Sequence, residues 1–158
     1  MFLFFVKFFV FITILIFPLK ASDENYNSFD GIWFTCEFAK SQSPPNDDCN
    51  MFDDEGFSVE GGFVTYLRIL GSSEKNCKGM KKGHCFNRNL KKIKVKTRKI
   101  GKINFKQNFL KVSWLGCSQK YKMLNSQDYY TLIPNKKRCF WASKKHFYIS
   151  RFEGEIIF

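Results

Sequence analysis

The stretch Lys91-Lys92-Ile93-Lys94-Val95-Lys96-Thr97-Arg98-Lys99-Ile100 decides the fold class. Ile93, Val95 and Thr97 occupy alternate positions, and Lys92, Lys94, Lys96 and Arg98 occupy the positions between them. A period of two sends successive side chains to opposite faces, so this segment is a strand with an apolar face toward the core and a basic face outward. The pattern continues in both directions. Ile103 and Phe105 follow Gly101, then come Leu110, Val112 and Trp114, then Tyr121 and Met123, then Tyr129, Thr131 and Ile133. Phe140–Ala142 and His146–Arg151 close the series. Upstream, Gly31–Phe38 opens it, and Phe57–Leu70 forms one alternating run with a bulge or bend at Gly61-Gly62.

Turn residues (Gly116, Asn125-Ser126, Pro134-Asn135, Ser143-Lys144) fall at short, even intervals. Helical spacing is poor, and Phe, Tyr, Ile and Val abound where Ala is scarce. The expectation is an all-β domain, a single antiparallel up-and-down barrel of about eight strands, because closure removes exposed edges.

Residues 1–21 read as a secretory signal peptide: one early charge at Lys7, an apolar run Phe8–Phe17 interrupted only by Thr13, then Ala21-Ser22. The run is shorter than the roughly 20 residues of a spanning helix and ends at Pro18, so no stable membrane span is expected after cleavage. Residues 22–158 then form one domain. All six cysteines (Cys36, Cys49, Cys77, Cys85, Cys117 and Cys139) lie in that part. An even number in an exported chain reads as three disulfides. Cys77 and Cys85, bracketing a Gly- and Lys-rich loop, are the most natural pair, and the other pairings stay open. No C-x-x-C or paired-His spacing supports a zinc site. The expected address is periplasmic or extracellular.

Charge is divided unevenly. Ten acids against Lys40 occupy residues 22–60, and 23 bases against Glu74 and Asp128 occupy residues 62–152. The formal net charge is +12. Such an excess favours anionic partners. Lys92, Lys94, Lys96 and Arg98, about 6.6 Å apart along one face, with Lys78, Lys81 and Lys82 nearby, are candidates to hold a polyanion or an acidic protein. The competing role is a solvated face that discourages edge pairing, and the 21 Lys against five Arg favour it.

The acidic run Asp53-Asp54-Glu55-Gly56, with Asp47 and Asp48, lacks EF-hand spacing and reads as a turn or as an internal partner for the basic half rather than a calcium site. His84 and His146 are the only acid–base candidates of a small basic hydrolase, and no nucleophile motif accompanies them. An enzyme is not expected, nor is a cofactor or metal.

Three patches appear in a recognisable order: Gly31-Ile32-Trp33, Asp128-Tyr129-Tyr130 and Arg151. This order resembles the lipocalins and their calycin relatives, although Gln127 stands where that family has Thr. The resemblance implies an eight-stranded barrel in which Arg151 lies across Trp33 and closes one end, with a small apolar or amphipathic ligand held inside. Trp114, Trp141 and Tyr121 are then the candidate pocket residues. A monomer that binds and does no chemistry is the resulting expectation, with an anionic surface or polymer as the alternative partner.

Overall fold

The computed structural model describes residues 29–38, 48–71, 77, 85–136 and 139–158. The expected leader, Asp47, Lys78, Lys81, Lys82 and His84 lie outside these residues. The described residues form ten strands and no helix: β1 Gly31–Cys36, β2 Met51–Glu60, β3 Phe63–Leu70, β4 Phe86–Asn87, β5 Lys92–Lys106, β6 Phe109–Trp114, β7 Cys117–Asn125, β8 Tyr130–Pro134, β9 Phe147–Phe152 and β10 Glu155–Ile157. Eight of them (β1, β2, β3, β5, β6, β7, β8 and β9) pair in that order, each antiparallel to the next, and β9 returns to β1. The all-β expectation therefore holds as a closed eight-stranded antiparallel barrel.

The two short strands cover edges that closure leaves bare. The first residues of β5 reach beyond β6, and β10 pairs them in parallel, Glu155 with Lys92 and Ile157 with Lys94. Likewise, β4 pairs Met51 and Phe52 at the start of β2.

Two expected features differ. Gly61-Gly62 is not a bend within one strand but the tight turn between β2 and β3, with positive φ at both residues (55° and 79°). That conformation matches the twist of a hairpin and suits glycine. Phe140–Ala142 is a turn rather than a strand, with the Ala142 N–H donating to the Cys139 carbonyl at 3.1 Å.

The bulge in β5 sets the inside and outside of the wall. Val64 pairs with Gly101 but Thr65 pairs with Lys99, so Ile100 is an extra residue. Gly101 is required there, because a Cβ would stand 2.1 Å from the Ser113 carbonyl oxygen. An extra residue exchanges the faces of a strand. Beyond it Ile103 and Phe105 point into the barrel, while before it Ile93 and Val95 point away from the lumen. The apolar face read at Lys91–Ile100 is real, but it covers a second core and not the barrel interior.

That second core lies on the outer face of the wall. Trp33, Val64, Leu110, Tyr121, Leu132 and Ile149 belong to the inner cluster. Phe34, Phe52, Leu67, Ile93, Val95 and Phe152 belong to the outer one. Trp33 and Phe34 are neighbours on β1 and serve opposite faces, as strand alternation requires. The fully buried Phe34, Phe52, Leu67, Leu110, Leu132 and Ile149 each contribute roughly 1.5–3 kcal/mol.

Disulfides join Cys36–Cys49, Cys77–Cys85 and Cys117–Cys139, and no cysteine is free. The Cys77–Cys85 pairing is the one expected. Each bridge adds about 2–4 kcal/mol, chiefly by restricting the unfolded chain. Three bridges point to folding in an oxidising, exported compartment.

Candidate functional site

One end of the barrel is filled. Phe29, just before β1, stacks on Trp33 with centroids 4.5 Å apart and planes at 9°. The Trp33 indole N–H donates to the Phe29 carbonyl at 3.0 Å. Phe105 and Tyr130 pack against Phe29 at 5.5 and 6.2 Å. Arg151 is the β9 register partner of Trp33 and therefore shares its face. Its guanidinium carbon lies 6.0 Å from the Trp33 ring centroid, and its Nη2 donates to the Asp30 carbonyl at 3.2 Å. A cation over an indole face contributes about 0.5–1 kcal/mol at an exposed site such as this one.

The rest of the lumen is open. A cavity of about 420 Å³ is bounded by Phe57, Val64, Ile100, Ile103, Leu110, Val112, Leu132 and Phe147 from the wall, and by Tyr121 and Trp141. Thr35, Glu55, Tyr66, Ser143 and His146 supply its polar edge. Burial pushes the Tyr121 hydroxyl up to about 12. Burial and then the neighbouring Glu55 carboxylate, to which Tyr66 is hydrogen-bonded, push Tyr66 up to about 12 as well. Both are neutral phenols over the physiological range. The Trp141 indole N–H is buried and finds no hydrogen-bond acceptor among the described residues.

Of the three expected pocket residues, the structure places Tyr121 and Trp141 on the cavity and Trp114 behind it. The Trp114 ring meets Trp141 edge-on at 6.0 Å and lies 6.4 Å from Phe140. It extends past the rim because β6 ends there in the Leu115-Gly116 turn, where both φ angles are positive.

A segment between β8 and β9, Cys139–His146, crosses the mouth, and two devices fix its start. One is the Cys117–Cys139 bridge. The other is Gln119, fully buried, whose Oε1 accepts the Cys139 N–H at 3.0 Å while its Nε2 donates to Asn135 Oδ1 at 2.9 Å and to the Lys120 carbonyl at 3.1 Å. The sequence held a signal for this residue. In Cys117–Met123, Gln119 shares parity with Tyr121 and Met123, and so is a polar side chain on a core-facing position.

The expected lysine stripe runs out from the rim. Arg98, Lys96 and Lys94 pair in register with Tyr66, Arg68 and Leu70, so they share the face that, lower down, lines the lumen. The stripe is not on the outer face of the barrel, as the alternation suggested, because the Ile100 bulge reverses the faces. Arg98 stands 5.4 Å from the Trp114 ring centroid. Lys92 pairs with Glu155 at 2.9 Å.

Asp53-Asp54-Glu55-Gly56 lies within β2 and is not a turn. Asp54 pairs with Arg68 at 2.9 Å and so acts as an internal partner of the basic half, while Glu55 is hydrogen-bonded to Tyr66. No group of three or more His, Cys, Asp or Glu among the described residues could hold a metal ion. His146 is exposed, with its ring edge-on to Tyr148 at 5.6 Å.

Comparison with protein-family models, with curated proteins and with solved structures returns no match.

Proposed function

We propose that this protein is a non-catalytic, exported, lipocalin-like carrier that holds a small apolar or amphipathic molecule in its barrel. The observation that carries the reading is the lumen itself: about 420 Å³, mostly apolar, closed at one end by Phe29 and Trp33, with the Trp141 N–H buried at its edge and unpaired among the described residues. Volumes of this size and lining suit small-molecule sites. A buried donor without an acceptor costs about 1–3 kcal/mol, which a ligand oxygen at Trp141 removes. Burial of roughly 200 Å² of apolar ligand surface adds about 5 kcal/mol before the costs of association.

The lipocalin-like assignment draws support from convergence. Tyr130 is edge-on to Trp33 at 5.7 Å, Ser150 donates to the Asp128 carbonyl at 2.6 Å, and Arg151 covers Trp33, so the three patches that carry the resemblance meet around one end of the barrel. The leader-like residues 1–21 and the three disulfides support export to a periplasmic or extracellular space. Native mass spectrometry of protein recovered from that space tests the reading. One small molecule per chain, released on unfolding, is expected, and a ligand-free spectrum at gentle activation opposes it.

A further inference from the structure

Among the described residues, the outer core covers the outward faces of β1, β2, β3, β9 and the first half of β5, but not those of β6, β7, β8 and the second half of β5. On that bare wall the outward side chains follow from register. Lys102 is paired with Ser113, Asn104 with Lys111, and Lys106 with Phe109. Lys111 is paired with Lys120 and Phe109 with Lys122. All five lysines are exposed. Rows only about 4.8 Å apart thus bring five positive charges together, and strands β6, β7 and β8 and residues 102–106 contain no Asp or Glu. Glu60, opposite Phe63 on the β2–β3 hairpin, marks the edge of the patch.

Large apolar side chains lie at the same level: Phe109 (37 % exposed), Leu124 (44 %) and Ile133 (37 %), with Phe63 (50 %) at the margin. Lys120 Nζ lies 3.9 Å from the Phe109 ring centroid. An uncovered sheet face combining clustered cations with exposed apolar groups marks an interaction surface.

We infer that this wall docks on an anionic lipid bilayer. Two features select a bilayer over a soluble polyanion. Phe109, Leu124 and Ile133 have nothing to bury against on a charged polymer, whereas the headgroup region accepts them. The charges are lysines, which respond to the diffuse field of anionic headgroups and lack the bidentate fork that selects individual phosphates. The wall faces away from the lumen, so docking does not depend on a bound ligand.

Sedimentation of the disulfide-bonded protein with phosphatidylcholine vesicles, alone or mixed with phosphatidylserine, tests this. The protein should bind the mixed vesicles at low ionic strength, release with added salt, and ignore the neutral ones. Each lysine is worth about fivefold in partitioning, so Lys111→Gln/Lys120→Gln/Lys122→Gln should lose about a hundredfold. Phe109→Ser/Leu124→Ser should lose severalfold. Lys94→Gln/Lys96→Gln, on the opposite face, should change little. All these sites are exposed, so an unchanged far-ultraviolet dichroism spectrum should accompany each variant. The proposal is overturned by failure to bind mixed vesicles, by equal binding to neutral ones, by equal loss in the Lys94/Lys96 pair, or by binding to soluble polyphosphate with none to vesicles.

Discussion

Gln119 Oε1 accepts the backbone N–H of Cys139 at 3.0 Å, tying β7 to the segment that crosses the barrel mouth. The side chain is fully buried, so its bonds are made where water cannot replace them. Gln119→Leu keeps the volume approximately but strands the Cys139 N–H and one Asn135 partner. The expected cost is about 1–3 kcal/mol in urea unfolding, accompanied by faster amide exchange in Phe140–His146. Unchanged exchange in that segment would show that the disulfide alone holds it.

Alkaline pH should weaken the fold through Tyr121 and Tyr66. Both hydroxyls are raised from 10 to about 12 in the folded protein, by burial in Tyr121 and by burial with the Glu55 carboxylate in Tyr66. The unfolded chain releases these protons first. Their stabilising effect is therefore complete below pH 10 and is lost as pH rises through about 12. Absorbance at the tyrosinate band should show a late-titrating class, and Tyr121→Phe should remove part of it and flatten the fall in melting temperature across that window. A titration in which every tyrosine ionises near pH 10 would contradict the burial of Tyr121.

Gly101 and Gly61 should respond differently to alanine. At Gly101 a Cβ meets the Ser113 carbonyl oxygen at 2.1 Å and φ is 149°, so β6 must move away from β5. The expected loss is on the order of 3 kcal/mol or more. At Gly61 the space is empty and only the positive φ of 55° is strained, for about 1 kcal/mol. Thermal unfolding of the two variants side by side measures the difference.

The class of fold was legible because several barrel strands, β3, β5, β6 and β7 among them, carry the two-residue alternation, most clearly at Ile93, Val95 and Thr97. Closure was less so, because β1 meets β9 across more than 100 residues and no local pattern encodes that pairing. The faces were misread at one point for a physical reason: periodicity reports which residues share a side, not which side is the lumen. The bulge at Ile100 exchanged the two, so the basic stripe leads to the barrel mouth and Ile93 and Val95 serve an outer core. Trp141 and Tyr121 could be singled out as aromatic residues. The segment carrying Trp141 looked like a strand, because Phe140–Ala142 is apolar, although the Cys139 bridge and Gln119 hold it as a turn. Most of the cavity wall, Val112 and Leu132 included, was indistinguishable from an ordinary core, because an unfilled lumen and a packed one share the same pattern.

Titration of a neutral apolar fluorophore, followed by quenching of tryptophan emission, tests the lumen as a binding site most directly. The expected result is saturation at one molecule per chain, independent of salt, with loss of at least about tenfold in affinity (about 1.4 kcal/mol) when Val112→Trp fills the cavity and the fold is retained. Absence of uptake, or uptake that survives Val112→Trp unchanged, would contradict it.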